Sequence, residues 1–259
     1  MQQALADGTL LVTERPGVVE IVFNRPERHN AITAAMYDAL DSVLESLAGR
    51  SDVRVVVFRG AGGRAFAAGN EISEFVALGP DVVEFEARLG RMFAAIAALP
   101  PVTVAAVDGV CVGGGLAIAT HCDLRIATRG SRFGYPIART LGNALSAPVV
   151  YRAAAVFGES VAREMLLASR LVPAERAHQV GAVIEVVDDL DVGLEPLVAG
   201  LLAASPATIR ATKEQLLARS RALDVPPEDD RDRLTAVYAG PDFAEGVRAF
   251  LAKEKPDFQ

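Results

Sequence analysis

The stretch VTVAAVDGVCVGGGLAIATHCDLRIA, Val102 to Ala127, decides how this chain is read. Val102–Val107 carries no charge and reads as a buried strand. A turn rich in glycine follows, Asp108 to Gly115, and a helix opens at about 114 and runs to 121. Leu124–Ala127 is a strand again. Small residues at a strand end let a ligand approach the backbone closely. The first N–H groups of the helix are free, and the positive end of its dipole faces outward, so negative charge is stabilised there. No Gly-Lys-Ser/Thr follows the glycines, so a phosphate loop is not indicated. Taken alone, Gly113-Gly114-Gly115 is equally a close-packing turn.

The same grammar extends outward. Residues 10–14 and 18–23 read as a hairpin turning at Pro16-Gly17. Thr33 can cap a helix through Leu47, with Met36, Leu40, Leu44 and Leu47 at helical spacing. Val53–Arg59 is an apolar strand followed by Gly60-Ala61-Gly62-Gly63. A second turn of interest is Phe66-Ala67-Ala68-Gly69-Asn70-Glu71-Ile72, and an amphipathic helix over 81–98 stops at Pro100-Pro101. Strand, strand, helix therefore recurs. Downstream, helices are expected over 143–157, 159–168, 174–179, 190–204, 207–220, 228–238 and 242–253, with one strand at Val183–Val187. Pro206 and Pro241 sit at helix starts, where proline is tolerated. Asp224–Asp230 reads as a connection. The expected organisation is an α/β core over 1–195 and a helical region over 196–259.

Composition bounds the function. The chain has 259 residues, 51% of them apolar, enough for a substantial core. No apolar stretch reaches the roughly 18–20 residues of a membrane span. The first residues lack a basic segment followed by an apolar one, so neither a secretion signal nor a membrane partner is expected. Cys111 and Cys122 lie in apolar surroundings without ligand spacing; they read as reduced core residues in a cytoplasmic protein, and no metal is expected. A net charge of -7 argues against nucleic acid. Only three of 26 basic residues are lysines, which draws attention to Lys253 and Lys255.

Four segments together are specific. Asn24-Arg25-Pro26-Glu27-Arg28-His29-Asn30-Ala31 resembles the opening motif of the enoyl-CoA hydratase/isomerase (crotonase) family. Ala65 to Phe75 resembles its first oxyanion segment, and Pro101 to Ala127 its second. Glu245 to Leu251, with Lys255-Pro256-Asp257-Phe258, resembles its C-terminal signature. They occur in family order across nearly the whole chain. The resemblance implies a spiral of repeated ββα units with a C-terminal helical region that builds homotrimers or hexamers. It implies an acyl-CoA thioester as substrate, with coenzyme A entering as part of it and no bound cofactor. The backbone N–H groups of Asn70 and Gly114 would form the oxyanion hole. Arg28, His29, Ala68 and Ile72 would line the route of CoA, and Phe250 and Lys253 would reach the CoA of a neighbouring subunit.

Two positions depart from the family. Hydratases carry glutamates two residues after the third glycine and after the proline of Phe-Gly-x-Pro-Glu; here these are Ala117 and Ile137. Neither side chain moves protons. Replacements are sought in Asn143, which otherwise reads as a helix N-cap, and in Tyr135, which would donate into the acyl pocket. His121 reads as a core histidine, and Glu84 and Glu86 as surface charge. The leading expectation is an enzyme acting through an enolate, with ordinary hydration in doubt. The alternative is a catalytically silent acyl-CoA binder or assembly subunit. A serine peptidase on the same scaffold is disfavoured, because Ser73 is the only serine between residues 61 and 130.

Overall fold

The computed structural model describes residues 2–74, 81–223 and 226–258. Phe75 of the first oxyanion segment and Asp224 of the expected connection lie outside them. The larger of two sheets has seven strands: β1 (Gln2–Leu5), β2 (Leu10–Arg15), β3 (Val18–Phe23), β4 (Val55–Gly60), β6 (Val102–Val107), β8 (Leu124–Thr128) and β11 (Glu185–Val187), neighbouring in that order. The first three form an antiparallel meander; β3, β4, β6, β8 and β11 are parallel. A smaller sheet orders β10 (Val172–Pro173), β9 (Arg132–Gly134), β7 (Val110–Val112) and β5 (Ala65–Ala67).

The first repeat keeps both of its strands, β2 and β3, in the large sheet; the pairs β4/β5, β6/β7 and β8/β9 each send their first strand to the large sheet and their second to the small one. The helices of the repeats are α1 (Ala34–Ala48), α2 (Val82–Ala98) and α3 (Gly114–His121). This is the ββα succession expected from the sequence. β6 is buried along its whole length, which is why Val102–Val107 reads as an unbroken apolar run. Thr33 caps α1, accepting the Met36 N–H at 3.2 Å.

The remaining helices are α4 (Ile137–Thr140), α5 (Ala147–Phe157), α6 (Glu159–Leu167), α7 (Ala174–Gln179), α8 (Leu190–Ala203), α9 (Pro206–Leu223), α10 (Asp230–Tyr238) and α11 (Pro241–Ala252). Residue 195 falls inside α8, whose Leu190, Leu194 and Val198 pack on Val55, Val57 and Val104 of the large sheet. The helical region is also pinned by charge. Lys213 of α9 donates to Asp123 Oδ2 at 2.6 Å and to the Pro101 carbonyl at 2.8 Å. No single helix among the described residues is long and apolar enough to cross a membrane.

Two expectations are corrected. The helix expected from 143 begins at Ala147: Pro148 has no N–H to bond the carbonyl four residues back and fits only the first turn, and the Ala147 N–H bonds Asp230 Oδ2 at 3.0 Å. Asn143 is therefore not the N-cap, which is Ser146, and residues 143–146 form a connection without regular structure. The strand expected at Val183–Val187 shortens to Glu185–Val187, because the Ala182 and Val183 N–H groups turn back to the Ala177 carbonyl.

Candidate active site

The opening motif holds the first glycine turn in place. Asn30 is fully buried in the left-handed region, at φ 56°. Its Nδ2 donates to the carbonyls of Ala61 at 3.0 Å and Ala65 at 2.7 Å, and its Oδ1 accepts the Arg25 N–H at 2.9 Å. Arg25 in turn pairs with Glu71 at 3.1 Å. Backbone bonds then tie the strands of the loop: Ala68 N–H to His29, Ile32 N–H to Gly69, and Glu71 N–H to Ile32. The amides of Ala68 and Glu71 are used. Among the described residues, that of Asn70 has no backbone acceptor.

The second turn comes against it. Gly69 has φ +93° and Gly113 has φ +54°; a Cβ on Gly113 would lie 3.3 Å from Gly69 Cα, and one on Gly69 would lie 3.5 Å from Gly114 N. Both conformation and proximity call for glycine. Gly114 opens α3, so its N–H has no partner within the helix. Tyr37, fully buried on α1, donates to Asn70 Oδ1 at 2.6 Å. A Cβ on Gly114 would sit 2.5 Å from that same oxygen, so the Asn70 side chain is held directly beside the helix start.

Both turns open on a cavity of about 720 Å³. Arg28, His29, Ala68 and Ile72 line it from the first motif and turn. Phe250 and Lys253, from α11 and its C-cap, line the cavity of their own chain, and Asn143 lines it from the connection before α5. One expectation changes here. Tyr135 does not line the cavity; it is fully buried, and burial raises its hydroxyl above the usual phenol range.

Ala117 and Ile137 both line the cavity, Ala117 one helical turn below Gly114. Of the two glutamates read as surface charge, one is buried. Glu84 is exposed as expected, but Glu86 is only 6% exposed and lines the cavity with Leu89 and Phe93 of the same helix. Tyr238, on α10, donates to Glu86 Oε1 at 2.7 Å. Burial pushes the Glu86 carboxyl up to about 7, against a smaller lowering by the Tyr238 bond. A signal was present: Val82, Glu86, Leu89, Phe93 and Ile96 recur at helical spacing, so Glu86 stands in the apolar stripe. His121 is a core residue. Its ring stacks on Phe93 at 5.3 Å, its Nδ1 contacts the Ala117 carbonyl at 2.7 Å, and burial pulls it down to about 4. Among the described residues, no three His, Cys, Asp or Glu side chains gather to hold a metal ion.

The family model for enoyl-CoA hydratase/isomerase matches residues 13–259. This chain belongs to the enoyl-CoA hydratase/isomerase family. It is 31% identical to the 2,3-dehydroadipyl-CoA hydratase of Escherichia coli over 254 residues, covering 96% of this chain and 98% of that one. It is 30% identical to the 1,2-epoxyphenylacetyl-CoA isomerase of the same organism over 253 residues, covering 93% and 95%. A solved methylmalonyl-CoA decarboxylase in complex with 2-nitronate-propionyl-CoA superposes with a TM-score of 0.87 at 26% identity, covering 97% of this chain and 98% of that one. The fold is the crotonase fold. Three different reactions stand among these relatives, so family membership leaves the chemistry to the site.

The enoyl-CoA hydratase/isomerase site of this chain should show its buried acid in stability. Glu86 has a folded pKa of about 7, above its ordinary value of 4.5. Below pH 4.5 both folded and unfolded states hold the proton, and nothing is lost. Between 4.5 and 7 the unfolded state ionises first, so stability falls as pH rises; above 7 the loss is complete. Glu86→Gln keeps an acceptor for Tyr238 and removes the titration. It should match wild type in urea unfolding at pH 4.5 and exceed it by about 1–3 kcal/mol at pH 8. A difference that does not vary with pH would show an ordinary carboxylate.

Proposed function

We propose that this chain acts on an acyl-CoA thioester, holding the thioester oxygen with the N–H groups of Asn70 and Gly114 while an enolate forms. The observation that carries this reading is the seam between the two glycine turns: two amides that find no backbone acceptor among the described residues, side by side on the cavity wall. Preorganised donors in a site shielded from water stabilise developing oxyanion charge by about 10²–10³ in rate per donor. Coenzyme A enters as part of the substrate and no further cofactor is required. Arg28 and Lys253 stand at the cavity as cations for its phosphates, His29 lines it beside Arg28, Ala68 and Ile72 offer backbone to it, and Phe250 covers it. Asn143 offers a buried Oδ1 without a hydrogen-bond partner among the described residues.

Free, buried Cys111 and Cys122 support a reducing cytoplasm. We also infer a homotrimer or hexamer; exposed Leu167, Val192, Leu216 and Leu223 support an assembled state. Sedimentation as a monomer at micromolar concentration would contradict it. A second reading, a silent acyl-CoA binder, draws on the apolar Ala117 and Ile137.

Calorimetry with a short acyl-CoA tests the binding that both readings share. Wild type should bind, and Lys253→Ala should bind about twofold to fivefold more weakly, the range for an exposed ion pair. No detectable binding at millimolar ligand would sink the proposal.

A further inference from the structure

Three carboxylates line the cavity, and they differ in what they are free to do. Glu27 is exposed at the mouth. Glu71 is held by Arg25 at 3.1 Å and by Ser73 at 3.0 Å, and the Arg25 bond helps keep its carboxyl below the usual range. Glu86 is buried, and among the described residues no cation pairs with it. It lines the cavity together with Leu89, Phe93 and Ala117, and the Tyr238 hydroxyl fixes one of its oxygens.

Glu86 is also close to the oxyanion seam. Its carboxylate raises the pKa of Tyr37, second to the effect of burial, and the Tyr37 hydroxyl bonds Asn70 beside the start of α3. The helices agree: α2, which carries Glu86, packs directly on α3, whose N-terminus supplies Gly114. A buried carboxyl without a cation costs the fold stability once it ionises, and groups perturbed in this way in a cleft cluster at functional sites.

Resting on the acyl-CoA reading above, we propose that Glu86 is the proton-transferring group of this site, taking a proton from the carbon α to the thioester carbonyl and returning it to the acyl chain. The C–H electron pair becomes the enolate double bond, and the negative charge moves to the thioester oxygen at Asn70 and Gly114. The carboxyl so formed on Glu86 then gives its proton back. Once the carboxyl has traded that proton for one from solvent, return to the α carbon exchanges hydrogen; return to the γ carbon of a β,γ-unsaturated acyl group shifts the double bond, whether or not that trade has occurred. No water, oxidant or second acid is consumed. The substrate class is thus an acyl-CoA with an acidic α proton, such as a 3-enoyl-CoA. A group that titrates near neutrality is suited to both halves of this cycle.

The test is α-hydrogen exchange of trans-3-hexenoyl-CoA in deuterium oxide, followed by NMR, beside calorimetry with the same ligand. Wild type should exchange, and Glu86→Gln should exchange at least a hundredfold more slowly with its Kd within about threefold of wild type. Glu86→Asp, which retains the acid on a shorter arm, should recover part of the rate. Thermal unfolding of each variant establishes that it is folded. Exchange or double-bond shift by Glu86→Gln at the wild-type rate, or neither of them from a wild type that binds the ligand, overturns the assignment and leaves the acyl-CoA reading standing. Absence of binding by wild type overturns that reading itself.

Discussion

Hydration of crotonyl-CoA by the wild-type protein should be slower, by about 10²–10⁴, than by relatives that carry both family glutamates. By resemblance, Ala117 and Ile137 stand at those two positions, and the structure sets both side chains on the cavity wall. Adding water requires one group to take its proton and another to deliver a proton to the neighbouring carbon. A methyl and a butyl group do neither. Glu86 enters from α2, a different element, and is held by Tyr238. It is therefore placed to move one proton and not to replace the pair. The double variant Ala117→Glu/Ile137→Glu should gain hydration by at least tenfold. An ordinary family rate in wild type would show that the catalytic groups have been misassigned. A gain in the double variant would show an oxyanion site that lacked only its acid and base.

Lys213→Ala should lower stability by about 2–3 kcal/mol, near the lower end for breaking a buried pair. The Lys213 side chain is 10% exposed and that of Asp123 27%. Removal of the lysine leaves the Pro101 carbonyl and Asp123 without their cation, and strips a buried aliphatic stem from the contact between α9 and the core. Asp123 retains the N–H and hydroxyl of Thr103, at 2.8 and 2.9 Å, which keeps the cost from being larger. For a chain of this length the midpoint of thermal unfolding should fall by about 5–10 °C. Asp123→Asn in the same background should add little, because the partner is already gone. A shift below about 1 °C would show that the pair does not hold the helical region.

The repeated strand, strand, helix order, the hairpin at Gly17, the Thr33 cap and the two glycine turns are legible in the residues themselves. Each rests on a local rule: apolar periodicity, a capping side chain, or a backbone angle that only glycine adopts freely. The four family motifs extend that reading to the acyl-CoA site, because they lie in short contiguous segments. The strands β5, β7 and β9 have three residues each, too few for a periodic signal; only their pairing in the smaller sheet reveals them. Asn143 became a lining residue because Pro148 and Asp230, 82 residues apart in sequence, start α5 late. Tyr135 lies off the cavity for the same kind of reason: the packing of distant elements decides which side chains face it. Glu86 is the sharpest case. Its helical spacing places it on the apolar face, but whether a charge there meets solvent, a cation or a cavity depends on α3 and α10. Tyr238 lies 152 residues away. Burial and partnership are properties of the assembled elements, and burial is what turns an ordinary glutamate into one that titrates at about 7.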